Sequence, residues 1–200
     1  MLAVLSLVVQ LVLLMGNANG PDAVAAALVR YFSYFTILSN LIVAAVAVSA
    51  TVRPDGNGPW SRASMRGAAA VYIGVTMVVY DRVLQPSWNP MGAQLWADIG
   101  LHYLVPIAYL TWWLWWAPHG TLQLRDAARW LLFPLAFLAW CCVRGLFQHE
   151  WAYPFLDIDA LGARTVVRNA FGVLGVFLAL GIAVFGMDRG LAAPRATQAP

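Results

Sequence analysis

Long apolar runs alternate with short polar connectors along nearly the whole chain. Six runs stand out, at about 2–18, 31–51, 67–80, 95–117, 127–147 and 165–187. The third is the shortest and can be extended back to Ala63. An α-helix needs roughly 17–25 mostly apolar residues to cross the ~30 Å hydrocarbon core of a bilayer, and these runs approach or reach that length. The connectors hold residues that end helices: Gly-Asn-Ala-Asn-Gly-Pro-Asp at 16–22, Arg-Pro-Asp-Gly-Asn-Gly-Pro at 53–59, Gln-Pro-Ser-Trp-Asn-Pro at 85–90 and Ala-Pro-His-Gly at 117–120. Pro134 lies inside the fifth run, where a membrane helix tolerates it with a kink. The pattern predicts an all-α integral membrane protein, a six-transmembrane-helix bundle forming one domain over residues 1–188. An Ala/Pro-rich tail over 189–200 is expected to be disordered. The first run lacks the basic start of a cleaved signal peptide and reads as a retained, rather short first helix. No internal repeat is evident.

Composition supports this pattern. The 200 residues are 62% hydrophobic and only 10% charged, against about 25% charged in soluble domains. All 12 basic residues are arginines and the net charge is +3. They are dispersed at the ends of apolar runs rather than gathered into a patch, so no nucleic-acid partner is expected. Their distribution sets an orientation. Arg53, Arg62 and Arg66 fall at the second connector, Arg125 and Arg129 at the fourth, and Arg189 and Arg195 in the tail. The other connectors have only Arg30, Arg82 and Arg164 at their edges. Both termini are therefore expected to be cytoplasmic, with connectors one, three and five external. Trp112, Trp113, Trp115 and Trp116 suit the inner interface, and Trp88, Trp96 and Trp151 the outer one. Cys141 and Cys142 are adjacent and would point apart on a helix, so they are expected to be free thiols.

Polar residues inside the runs are the candidates for chemistry, because intramembrane ionisable groups mark function by default. Asp98 and His102 are spaced i, i+4 and share a helix face. A carboxylate there can fix the histidine tautomer and leave the other nitrogen as a base. Thr36 lies about six residues into the second run and His102 about seven into the fourth. At ~1.5 Å per residue both sit roughly 9–11 Å below the outer boundary, so depth permits contact. A histidine base beside a hydroxyl nucleophile is the minimum for acyl transfer. The plainer reading is that Thr36 and His102 only join helices by hydrogen bonds.

Ser33, Thr36 and Asn40 would share one face, and Ser39 or Asn40 could donate to an oxyanion or carboxylate. Arg144 and Arg168 could clamp an acidic headgroup, or pair with Asp98 or Asp157. His149, Glu150, Asp157 and Asp159 come from the fifth connector. The inner half reads as almost pure Leu, Val, Ala and Trp, and His119 falls there, away from the site. A catalytic zinc wants three protein ligands; Asp98, His102 and His149 could be assembled, but no tight ligand spacing appears. No metal and no cofactor are therefore expected.

Three stretches resemble one family. Phe35-Thr36 within Tyr31-Phe32-Ser33-Tyr34-Phe35-Thr36-Ile37-Leu38-Ser39-Asn40 resembles its nucleophile helix. Leu101-His102, followed by Pro106, resembles its histidine helix. Trp151-Ala152-Tyr153-Pro154-Phe155-Leu156-Asp157, followed by Gly162, resembles its last-loop motif. The family is the androgen-induced and androgen-dependent multi-pass membrane proteins with their prokaryotic relatives, and the likeness spans about residues 30–185 in the same order. Its animal members are threonine hydrolases that cleave fatty acid esters of hydroxy fatty acids. Where they carry an aspartate soon after the threonine, Ser39 and Asn40 stand here. The resemblance implies Thr36 as nucleophile, His102 as base, a membrane lipid ester as substrate, and a prokaryotic plasma membrane as location. Tyr153, Pro154 and Phe155 could cap the pocket. Two other functions stay open on the residues alone: a non-catalytic lipid or small-molecule binder or transporter, and a metal-dependent membrane hydrolase.

Overall fold

In a computed structural model, which describes residues 1–16, 18–53 and 58–192, the run that looked shortest becomes the central helix. This helix, α4, spans Ala63–Val79, and every residue from Gly67 to Thr76 is buried. Its Gly67, Ala68, Ala69, Ala70 and Gly74 let neighbouring backbones come close, as small residues do between membrane helices. Packed around it are α3 (Phe35–Val52), α6 (Val105–Trp116) and α10 (Ala163–Gly190). The remaining helices are α1 (Leu2–Met15), α2 (Pro21–Phe32), α5 (Ala93–Ile99), α7 (Leu124–Trp130), α8 (Leu132–Gln148) and the single turn α9 (Ile158–Leu161). No strand occurs among the described residues.

Four helical stretches are long and apolar enough to cross a membrane: Phe35–Val52, Ala63–Ser87, Leu124–Gln148 and Ala163–Gly190. The protein is thus an all-helical membrane protein. The first apolar run forms a helix of only 14 residues, and the fourth is interrupted by a wider turn. The outward faces of α8 and α10 are apolar where a lipid would lie, with Leu132, Val143 and Phe147 exposed on one and Val167, Phe171 and Leu178 on the other. Phe35 knits four helices together. Its ring meets Tyr72 of α4, Phe133 and Phe137 of α8 and Phe177 of α10, with centroids 5.3–6.0 Å apart.

Several expectations from the sequence need correction. The second run is not one helix from residue 31. The chain breaks between α2 and α3, where Tyr34 is extended at φ −103°, ψ 126°. The Ser33 hydroxyl donates to the Val29 carbonyl at 2.6 Å and accepts from the Trp140 indole at 3.0 Å. It therefore closes the end of α2 rather than sharing a face with Thr36 and Asn40. The fifth run divides at Leu131. Pro134 has no N–H for the Trp130 carbonyl four residues back, and the Tyr72 hydroxyl donates to that carbonyl instead, at 2.8 Å. Residues 189–190, assigned to the tail, are the end of α10; residues 193–200 of that tail lie outside the described residues. The half of the bundle expected to be almost purely apolar also holds buried polar groups, Ser61, Asp126 and Asp188.

Two stretches depart from α-geometry. After α4 the chain makes a π-turn over Tyr80–Leu84, and α5 is joined to α6 by another over Gly100–Leu104. Such wide turns recur at functional sites. The second has a visible cause: Pro106 cannot donate, so a carbonyl one turn earlier is left without its helical partner. The Leu101 carbonyl accepts from the Asn40 amide at 3.2 Å. That bond ties α3 to the π-turn and sets their register. On the other side of the turn α1 comes so close to Gly100 that a side chain there would collide with Ser6.

Candidate active site

Thr36 is the second residue of α3, at the start of a helix rather than within one. Its Oγ1 lies 3.2 Å from His102 Nε2. His102 is carried by the second π-turn and is buried, as is Asp98 one turn before it. His102 Nδ1 faces two acceptors, the Asp98 carbonyl at 3.0 Å and Asp98 Oδ1 at 3.3 Å. Two acceptors at one nitrogen demand a proton there. Nε2 is then the free acceptor, and the Thr36 hydroxyl donates to it. The hydroxyl, imidazole and carboxylate thus form a chain with the polarity of a hydrolase triad.

A fourth group, Tyr80, comes from the first π-turn. Its hydroxyl donates to Asp98 Oδ2. Its ring lies flat on the imidazole, with centroids 3.8 Å apart and planes 15° apart. Tyr80 therefore holds the carboxylate by one edge and the histidine by its face. Sequence reasoning missed this residue. Its only outward sign is a polar cluster, Tyr80-Asp81-Arg82, at the end of an apolar run before Pro86.

Asn40 and Ser39 support Thr36 from below. Asn40 donates to the Thr36 carbonyl at 2.8 Å, and its Oδ1 is buried with no hydrogen-bond partner. Ser39 donates to the same carbonyl at 3.1 Å and meets the Thr76 hydroxyl of α4 at 2.8 Å. Both are spent on backbone and packing, not on an oxyanion. The Tyr153 hydroxyl approaches from the loop after α8. It accepts the Phe35 N–H at 2.8 Å and lies against Thr36. Burial pushes this phenol above its ordinary pKa, so the hydroxyl keeps its hydrogen and can donate it.

Thr36, Thr76, Tyr80 and Tyr153 form the polar head of an otherwise apolar cavity between α8 and α10. Its walls are Pro134, Leu135, Phe137 and Leu138 on one side and Ala170, Val173, Leu174 and Phe177 on the other. The cavity volume is about 80 Å³, several times the ~10–15 Å³ needed for one water. The cavity therefore has room for a few waters or a short apolar segment beside Thr36.

The other predicted residues stand elsewhere. Arg144 is buried but bonds to Gln148 at 3.1 Å and to Glu150, not to Asp98 or Asp157. Glu150 also faces Arg30 at 3.6 Å. Asp157 caps α9 by accepting the Ala160 N–H at 2.9 Å. Arg168 is exposed, has no polar partner among the described residues, and does not line the cavity. Of the expected cap, Tyr153 and Phe155 line the cavity and Pro154 is exposed outside it. His149 ends α8 in a left-handed conformation and pairs with Asp159 at 3.0 Å, so it does not join Asp98 and His102. No group of three metal-ligating side chains occurs among the described residues. Cys141 and Cys142 are free.

Compared with family models, curated proteins and solved structures, the chain matches none.

Proposed function

We propose that this chain is a six-span membrane hydrolase of lipid esters, both termini cytoplasmic, with Thr36 as nucleophile and His102 as general base. The observation that carries the reading is the 3.2 Å contact between Thr36 Oγ1 and His102 Nε2 at the head of an apolar cavity. The resemblance of the Thr36, His102 and Tyr153 stretches to the androgen-induced and androgen-dependent membrane hydrolases supports it, and extends the substrate class to fatty acid esters of hydroxy fatty acids.

In the cycle we infer, an acyl chain enters the cavity from the bilayer between α8 and α10. Thr36 Oγ1 attacks the ester carbonyl carbon as its proton passes to His102 Nε2. The oxyanion forms at the start of α3, where the helix dipole favours negative charge, and the Tyr153 hydroxyl donates to it. The bond to the alcohol oxygen breaks as His102 returns the proton to that oxygen. Water then attacks the acyl-Thr36 ester with His102 again taking its proton, which restores the Thr36 hydroxyl and releases the acid. Asp98 holds the Nδ1 proton throughout and stabilises the imidazolium. Tyr80 holds Asp98.

The test is mass spectrometry of purified protein incubated with an acyl-mimicking phosphonate. The expected result is an adduct on Thr36 that is lost in both Thr36→Ala and His102→Ala. An unlabelled, well-folded wild type beside a labelled control hydrolase would overturn the catalytic reading and leave a lipid binder or transporter.

A further inference from the structure

At the opposite end of the bundle from Thr36 lies a second, much larger cavity of about 810 Å³. That volume falls within the ~300–1,000 Å³ of small-molecule sites. Its floor is the first turn of α1 with Val43 and Ala47 of α3 and Val105 and Ala108 of α6. Its rim carries Arg53 at the end of α3, and Arg62 and Arg66 at the start of α4. Trp112 and Trp116 stand on the α6 side.

Three features of this rim bear on what it could hold. None of its arginines forms an ion pair with a carboxylate among the described residues, so their charges are free for a ligand, unlike those of Arg30, Arg82 and Arg144 and like those of Arg125, Arg129, Arg164, Arg168 and Arg189. Arg66 bonds through one terminal nitrogen to the Ser61 carbonyl at 2.5 Å, but its Nε is buried without a partner. Finally, α4 begins here with no side-chain cap, so the positive end of its dipole adds to the three guanidinium charges. A basic rim above an apolar floor, flanked by tryptophans, has the polarity of an anionic amphiphile. Arginine is suited to phosphate oxygens because its planar donors bind two at once.

We propose that this cavity binds a phosphate-bearing anionic membrane lipid, its headgroup held by Arg53, Arg62 and Arg66 and its acyl chain lying over Ala47 and Ala108. The site is separate from the Thr36 cavity and does not depend on the hydrolase reading.

The experiment measures lipid adducts on full-length protein by native mass spectrometry from a neutral detergent. Phosphatidylglycerol, phosphatidylcholine and inorganic phosphate are added in separate arms. Phosphatidylglycerol is expected to bind more tightly than phosphatidylcholine. Each arginine near a membrane surface is worth about fivefold in anionic-lipid affinity, so Arg62→Gln should remove about that factor and Arg62→Gln/Arg66→Gln most of the preference. Ala47→Phe, which fills the floor without changing charge, should weaken both lipids and keeps the test valid if the arginine pair fails to fold. Equal binding of the two lipids, no effect of Ala47→Phe, or displacement of phosphatidylglycerol by equimolar inorganic phosphate would each overturn the proposal. Phosphonate labelling of Thr36 should be unchanged in Arg62→Gln and Ala47→Phe.

Discussion

The bundle contains two buried histidines, each beside an aspartate, one at either end. His102 faces Asp98 at 3.3 Å and His119 faces Asp188 at 3.4 Å, and all four side chains are almost fully enclosed. By inventory the pairs look alike. They differ at Nδ1, where His102 is hydrogen-bonded and His119 is buried without a hydrogen bond, and in what lies at the second ring nitrogen and the second carboxylate oxygen. His102 Nε2 meets a hydroxyl that lines a cavity, whereas His119 Nε2 meets the Leu114 carbonyl at 3.3 Å. Asp98 accepts from another side chain, Tyr80, whereas Asp188 accepts the Leu122 N–H at 2.9 Å. The second pair ties the loop after α6 to α10 and has no reactive group attached. A buried His–Asp pair is thus not a site in itself; the group presented to the free imidazole nitrogen decides.

The largest effect that tests this contrast comes from the histidines. His102→Ala should reduce phosphonate labelling of Thr36 by at least about 10³-fold, as expected when the base of a triad is removed. His119→Ala should lower the unfolding temperature while folded molecules still label at the wild-type rate. Loss of labelling in folded His119→Ala protein would break the comparison, since it would make the second pair part of the chemistry.

The aspartates sharpen it. Asp98→Asn keeps the shape and the backbone carbonyl that takes the Nδ1 proton but removes the negative charge that stabilises the imidazolium, and kcat on a lipid ester should fall about 10²–10⁴-fold with KM little changed. Asp188→Ala leaves the buried Leu122 N–H unpaired, which costs about 1–3 kcal/mol, and should be read in thermal unfolding rather than in turnover. Reversed outcomes, with Asp98→Asn affecting only stability, would move His102 into the structural class.

How far the sequence reveals this contrast depends on which interactions run along the chain. The Asp98–His102 spacing is local arithmetic, and those two residues do meet; Thr36 joins them although the run on which its depth is counted breaks before α3. The helical runs are legible for the same reason. Less visible is anything that depends on how helices neighbour one another. Asp188 and His119 are 69 positions apart in the chain and meet only because α10 returns beside the loop after α6. Arg144 finds Glu150 six residues on, a local partner made available when His149 turns the chain. The break at Ser33 escapes a hydropathy pattern because its cause is a distant indole, Trp140, together with the Tyr153 hydroxyl that takes the Phe35 N–H. The cavity is equally hidden, since its walls belong to two runs that look like any other lipid-facing helix.

The proposed oxyanion donor comes next in size. Tyr153→Phe retains the ring that stacks on Phe155, with centroids 5.2 Å apart, and removes only the hydroxyl. Loss of one preorganised donor reduces turnover about 10²–10³-fold. The Phe35 N–H also loses its acceptor, so a modest fall in the unfolding temperature should accompany it. A stability loss with turnover per folded molecule unchanged would leave Tyr153 a helix cap and assign the oxyanion to the α3 backbone.

Tyr80 gives the smallest and most diagnostic effect, because it separates orientation from catalysis within the first pair. Tyr80→Phe should preserve the stack on His102 and remove the bond to Asp98 Oδ2. A hydrogen bond to a charged group contributes about 1.5–3 kcal/mol. If only part of that reaches the transition state through Asp98, turnover should fall by about tenfold, with substrate affinity unchanged. Tyr80→Leu, which also removes the flat ring surface, should cost more than Tyr80→Phe. In the Asp98→Asn background, Tyr80→Phe should add little, because an orienting residue has nothing left to orient. Fully additive losses in that double variant would mean that Tyr80 acts on the substrate in the cavity it lines rather than through the carboxylate.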